Sequence, residues 1–355
     1  MDEAVGTRWL ADGLSFRVPD PERRLAGVRL VAEVAPRRAR PEFEYDESEH
    51  SWRLWWPPPD AWRLEYRLEL HHPDGGSEVV CDPDNPLRAA GAFGDRSVLH
   101  RPDYTEPGWL HAPGAEGSWR ELSIPAPSLG ADVWARIWSP AVPTDQMLLA
   151  HDGPEYDKLG DLGQFCAALI GAGRVAAHHL VLLAPGPRDE WYSANPAYAR
   201  ALGGPVLARL RAELGSNRPV VGLGISLGGL AMLHAQRHRP AAFAGLFLQS
   251  SSFFRRRLDG QESRYRRFGR IVRFADRVVA ASATPRAVPV GLTCGRAEEN
   301  LANNRELAAT LARQGHPVRL HETPDAHNFT AWRDALDPHL TDLLGEVWPL
   351  PTGSG

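Results

Sequence analysis

"VVGLGISLGG", residues 220–229, decides how this chain is read. The apolar "PVVGL" (219–223) reads as a buried strand, and "GGLAMLHAQRH" (228–238) carries helical spacing. Glycines at such a junction either cradle a phosphate or hold up a nucleophile. A dinucleotide fingerprint needs G-x-G-x-x-G in the first strand–helix unit of its domain. Here Gly222 and Gly224 are followed by Gly228, one residue late and several strands into the domain. A Walker-type loop needs G-K-[ST], which this stretch lacks. The pattern that fits is G-x-S-x-G, formed by Gly224, Ser226 and Gly228: a nucleophile elbow. Its serine sits on strained backbone, and small neighbours let strand and helix close around it. The plain alternative is a tight turn with an incidental serine.

A nucleophilic serine needs a base, and the base needs an orienter. On α/β-hydrolase folds the chain order is serine, acid, histidine. "VPVGLTCG" (288–295) is followed by Glu298 and Glu299, and "VRLHE" (318–322) by "TPDAHNFTAW", which contains His327. His327 is the expected base. Glu298, nearer the strand end, is the preferred acid, with Glu299 and Asp325 as alternatives. The oxyanion hole is expected to use the N–H of Leu227, just after the nucleophile, and a second N–H from the loop after an earlier strand. "MLLAHDGPEYD" (147–157) is that loop, and Gly153 the expected donor.

The chain around these motifs has two halves with different periods. "WRLEYRLEL" (62–70) alternates strictly, with Trp62, Leu64, Tyr66, Leu68 and Leu70 on one face and charges on the other. "VRLVAEV" (28–34) and "SWRLWW" (51–56) are further strands of an all-β, immunoglobulin-like sandwich over residues 1–105. Residues 106–125, rich in Pro, Gly and polar residues, read as a linker. From there, apolar runs at 133–138, 146–150, 179–184, 219–223, 244–249, 288–293 and 318–322 alternate with helical stretches. That alternation predicts an α/β-hydrolase fold over 126–350: a mostly parallel sheet flanked by helices.

Composition adds limits. The chain has 355 residues, 43% hydrophobic and 24% charged, with a net charge of −4. That balance gives no pull toward nucleic acid or an anionic membrane, and no apolar stretch is long enough to span one. Cys81, Cys166 and Cys294 are scattered and odd in number, so neither a metal pattern nor a disulfide framework is expected. Reduced thiols, with an opening "MDEAVGTRWLADGLSF" unlike a signal peptide, predict a cytoplasmic protein.

With "HDG" (151–153), "GISLGG" (224–229), "GRAEEN" (295–300) and "DAHNFTAWR" (325–333), the sequence resembles the esterase group of α/β-hydrolases, and within it the enterochelin esterases. "DPDNP" (82–86) and "GDRSVLHRPDY" (94–104) resemble the end of that family's N-terminal β domain, so the likeness covers nearly the whole chain. It implies catalytic Ser226 and His327, Glu298 as the acid, and hydrolysis of the lactone backbone of catecholate siderophores. It also implies a second oxyanion donor just after the Asp-Gly pair. That residue is Pro154, which has no N–H, leaving Gly153 or Glu155.

Asp152, Tyr156, Arg188, Trp191 and Tyr192 are candidate substrate-binding residues, the last three within "PRDEWYSANPAY" (187–198) after a predicted strand. The equal alternative for that segment is a capped helix start. "RRRLDGQESRYRRFGRIVRFADR" (255–277) holds nine arginines against three acids. It reads as a solvated face, or as a cap steering an anionic ligand such as a ferric catecholate. Trp52, Trp55, Trp56 and Trp62 suit core packing or a sugar platform. The expected partner is a small-molecule ester, with no cofactor and no metal. Rival readings are an acyltransferase or releasing thioesterase, and a binding protein on an inactive hydrolase fold.

Overall fold

The computed structural model describes residues 7–32, 34 and 41–350. The first six residues, read above as no signal peptide, and Glu33 of "VRLVAEV" lie outside them. The chain forms two compact units. Met1–Thr105, Gly295–Glu299 and Thr323–Ala331 make the first; Glu106–Cys294, Asn300–Glu322 and Trp332–Gly355 make the second.

The first unit holds β1 (Arg8–Trp9), β2 (Leu14–Pro19), β3 (Gly27–Ala32), β4 (Glu44–Asp46), β5 (Ser51–Trp56), β6 (Arg63–His71), β7 (Ser77–Val80), β8 (Arg88–Ala89) and β9 (Arg96–His100). One sheet runs β1-β2-β5-β4; the other runs β3-β6-β9-β8, with β7 added to β6. Their pairings are antiparallel. Leu14, Phe16 and Trp52 of one sheet share a core with Leu30, Leu64 and Tyr66 of the other. This is the sandwich that the alternation predicts, because each inward face needs an apolar partner.

β6 departs from its pattern. Arg63 and Glu65, on the face expected to meet solvent, are only 2% and 7% exposed. Charged side chains are buried where they are paired. Arg63 donates to Glu65 at 3.1 Å and to Asp325 at 2.7 Å.

The second unit holds β10 (Gly117–Ala126), β11 (Ala131–Pro140), β12 (Met147–Ala150), β13 (His179–Leu183), β14 (Val220–Ile225), β15 (Phe243–Gln249), β16 (Val290–Gly295) and β17 (Val318–Thr323), the last two running to its edge. The sheet order is β10-β11-β13-β12-β14-β15-β16-β17. β10–β11 and β11–β13 are antiparallel, and the pairings from β13 through β16 are parallel. The parallel strands β12 and β14 are buried along their whole length, which is why they read as unbroken apolar runs. Leu149, Val181 and Leu246 pack with Met232 of the helix Leu227–His238 and with Phe274 of the helix Phe268–Ala280.

The linker reading of residues 106–125 is corrected. Gly117–Ala126 is a strand paired with β11 along its full length. Its first five residues are exposed, and among the described residues its only strand neighbour is β11, so no burial pattern marked it. Pro125 is tolerated because an edge strand can do without an N–H.

Candidate active site

Ser226 occupies the turn between β14 and the helix Leu227–His238, with φ 51° and ψ −122°. A non-glycine residue there is strained, at a cost of about 1–3 kcal/mol. The surroundings enforce it. The Ser226 N–H donates to Gln249 O at 2.9 Å, and the Ser226 carbonyl accepts from Ser252 N–H at 3.1 Å. Gly224 and Gly229 are required by close approach. A Cβ on Gly224 would lie 2.4 Å from Gly228 O, and one on Gly229 1.9 Å from Ser251 Oγ. The serine side chain is left half-buried, its Oγ 3.2 Å from Ser252 Oγ.

Leu227 and Gly153 each open a helix, and first-turn N–H groups have no acceptor within their own helix. These helices follow β14 and β12, which are adjacent and parallel, so both N-termini sit at the same end of the sheet. Gly153 packs so tightly that a Cβ would meet Leu182 Cα at 2.4 Å. Pro154 takes the next position of the helix turn and supplies no N–H.

His151 ties the two turns together. Its Nδ1 lies 2.8 Å from the Gly228 carbonyl and its Nε2 2.9 Å from Tyr198 Oη. The carbonyl can only accept, so Nδ1 carries the proton and Nε2 accepts from the tyrosine hydroxyl. Burial pushes the His151 pKa down to about 4, which keeps the ring neutral. Asp152, at φ 50°, receives a two-pronged contact from Arg188, both bonds at 2.7 Å.

In the first unit, His327 Nδ1 lies 2.8 Å from Glu298 Oε2. The other carboxylate oxygen accepts from Gly295 N–H at 2.7 Å. A carboxylate at Nδ1 places the ring proton there and leaves Nε2 as the basic nitrogen. Glu298 is thus the acid that meets the imidazole. Asp325 instead binds Arg63 and caps its own loop at Ala326 N–H, 2.8 Å away.

The substrate-binding expectations fare unevenly. Tyr156 and Tyr192 are fully buried and Trp191 nearly so. Tyr156 Oη bonds Gln249 Oε1 and the Trp332 carbonyl, so it braces the end of β15 and presents no surface to a ligand. Tyr192 and Trp191 pack around Tyr198, and Tyr192 also packs against His151. Arg188, its side chain 35% exposed, keeps a face toward solvent, while Asp152 is consumed by it. In the arginine-rich segment, Arg267 and Arg270 pair with Glu190 and Arg255 with Asp276, while Arg264 and Arg266 are exposed. His151, Tyr198 and Ser252 were missed. Only the "HDG" string hinted at the first.

A mostly parallel sheet with a strained serine between strand and helix defines an α/β-hydrolase. The family described as "Putative esterase" matches residues 136–343, more than half of the chain. The chain belongs to that family and is a carboxylic-ester hydrolase. It is similar to the enterobactin esterase of Shigella flexneri, solved in the presence of 2,3-di-hydroxy-N-benzoyl-glycine: 18% identity over 96% of each chain, TM-score 0.75. The ferric enterobactin esterase of Salmonella typhimurium gives 18% identity over 96% of each chain and a TM-score of 0.79. A ferulic acid esterase gives 15% identity and a TM-score of 0.56 over 66% of this chain and 99% of its own. At these identities the likeness establishes the fold. A search of curated protein sequences returns no match.

Proposed function

We propose that this protein is a serine esterase acting through Ser226, His327 and Glu298, and that its substrate is the ester backbone of a catecholate siderophore. The strained backbone of Ser226, held between β14 and the following helix with its side chain half-buried, carries the catalytic reading, because such strain clusters at functional sites. Ser226 Oγ attacks the ester carbonyl carbon and passes its proton to His327 Nε2. The oxyanion is held by the N–H groups of Leu227 and Gly153. The tetrahedral adduct collapses, and the leaving alkoxide takes the proton from the imidazolium. Water then attacks the acyl-Ser226, again losing a proton to His327, and frees the acid and the serine hydroxyl. Glu298 fixes the imidazole tautomer throughout.

The substrate reading is supported by the fold likeness to enterobactin esterases, which extends over the N-terminal half as well. The exposed Arg264 and Arg266 are compatible with it, since exposed cations raise the local concentration of an anionic ligand. The proposed cytoplasmic location rests on cysteine usage in the sequence: Cys81, Cys166 and Cys294 are scattered and odd in number.

The test offers the protein the iron-free and ferric forms of a catecholate trilactone, with a neutral p-nitrophenyl ester alongside, and identifies products by mass spectrometry. Ring opening with one water added per ester cleaved supports the proposal. Turnover of the neutral ester alone sinks the siderophore substrate. Turnover of none of them sinks the serine-esterase reading.

A further inference from the structure

Arg63 lies far in sequence from every residue in the proposed mechanism, yet its guanidinium sits beside the loop that carries His327. Its side chain is 1% exposed. One nitrogen donates to Glu65 at 3.1 Å; another donates to Asp325 at 2.7 Å and to Asn328 Oδ1 at 3.2 Å. Asp325 and Asn328 flank His327 in the chain. Neighbouring backbone repeats the grip: Trp62 N–H donates to Pro324 O at 2.6 Å.

The loop with Glu298 is held by the same cluster. Ala297 N–H donates to the Asp325 carbonyl at 3.1 Å, and Arg296 N–H to the Thr323 carbonyl at 2.7 Å. The Arg296 side chain pairs with Asp60 at 2.8 Å. Ala297 and Ala326, each next to a residue of the proposed acid–base pair, are packed in the apolar core of the β-sandwich. The sandwich therefore grips both loops, and the Arg63 side chain bonds residues on either side of His327, Asp325 and Asn328.

We propose that Arg63 is a positioning residue for catalysis: it holds the 323–331 loop so that the Glu298–His327 pair keeps its working geometry, which makes the N-terminal β unit part of the catalytic apparatus. This rests on the catalytic reading above. The planar fork of arginine serves Glu65, Asp325 and Asn328 together, whereas a lysine ammonium is a point charge on a flexible stem and cannot hold the same geometry.

The experiment compares wild type with Arg63→Lys and Arg63→Met on a neutral p-nitrophenyl ester, counting active sites by fluorophosphonate titration. A purely structural role would lower the number of titratable sites and leave turnover per site unchanged. The proposal predicts that kcat per titrated site falls about 10- to 100-fold, as misplacement of a reacting group by an ångström costs, while KM is unchanged. Should Arg63→Met fail to accumulate because two buried carboxylates lose their guanidinium, the neutralised variant Arg63→Met/Glu65→Leu/Asp325→Asn removes those charges and still lacks the anchor. The same loss of kcat is expected there. Wild-type kcat per site in the Arg63 variants, or in the neutralised one, overturns the inference. A wild-type protein that neither labels nor turns over ester instead overturns the catalytic reading beneath it.

Discussion

Glu298 and Glu299 are adjacent, and sequence alone distinguishes them only by nearness to the strand. The turn after β16 decides. Gly295 N–H captures one oxygen of Glu298 at 2.7 Å and leaves the other for His327 at 2.8 Å. Replacing Glu298 by Gln keeps the shape and loses the charge that stabilises an imidazolium. The proposed mechanism predicts a fall in kcat of about 10³–10⁴, the cost of removing a triad acid. Glu299→Gln should leave kcat near wild type, and steady-state kinetics on a p-nitrophenyl ester checks both. A mild Glu298→Gln beside a crippled Glu299→Gln would reverse the assignment. The residues whose burial the sequence did not show were the large amphipathic ones. Tyr156 and Trp191 lie in the short helices that follow β12 and β13, with Tyr192 just after the second, and an aromatic with a polar tip looks the same in sequence whether it lines a pocket or braces its wall. Ser252, its Oγ 3.2 Å from Ser226 Oγ, was illegible because only the folded turn brings two serines 26 residues apart together.

The elbow was legible as an element because each of its parts leaves a mark: a buried strand, a glycine at each close approach, a helix start. Gly229→Ala tests it. The added methyl would stand 1.9 Å from Ser251 Oγ, with the Gly224 carbonyl at 3.0 Å, so the turn must shift. Overpacking of this kind costs about 1–3 kcal/mol. The thermal midpoint should fall and ester turnover with it; an unchanged midpoint would mean the turn has slack. β10 was not legible, because an edge strand exposed along half its length shows neither alternation nor an apolar run. The arginine-rich segment reads as charge, but only the structure separates Arg267 and Arg270, tied to Glu190, from exposed Arg264 and Arg266. Reversing Arg264 and Arg266 to Glu should raise KM several-fold for a ferric catecholate and leave a neutral ester unaffected. Added salt should mimic the change, since exposed charges are screened beyond about 8–10 Å at physiological ionic strength. Equal effects on both substrates would leave the segment a solvated surface.

Across the whole molecule, two fully buried histidines contribute to the response to acid. Burial lowers the pKa of His151 and of His178 from 6.5 to about 4. Both are depressed in the folded state, so the unfolded chain binds protons first as pH falls. Their stabilising effect is complete above pH 6.5 and is lost as pH drops toward 4. Each contributes up to about 3 kcal/mol at neutral pH, at roughly 1.4 kcal/mol per pKa unit. Thermal midpoints measured from pH 7.5 to 4.5 should decline through this window and decline less in a His178→Gln variant; a flat profile would contradict the assignment. At this scale the division into a β half and an α/β half was legible from the change of period. That the segments with Glu298 and His327 cluster with the β unit was not, because a return of the chain over more than two hundred residues leaves no local pattern. The central claim is that Ser226 is the nucleophile, and the most direct measurement is labelling with a fluorophosphonate probe, mapped by mass spectrometry, with ester turnover of Ser226→Ala recorded beside it. The account predicts a single adduct on the peptide containing Ser226, and loss of about 10⁶ in kcat for the folded alanine variant. Label on another residue, or near-normal turnover without the Ser226 hydroxyl, would contradict it.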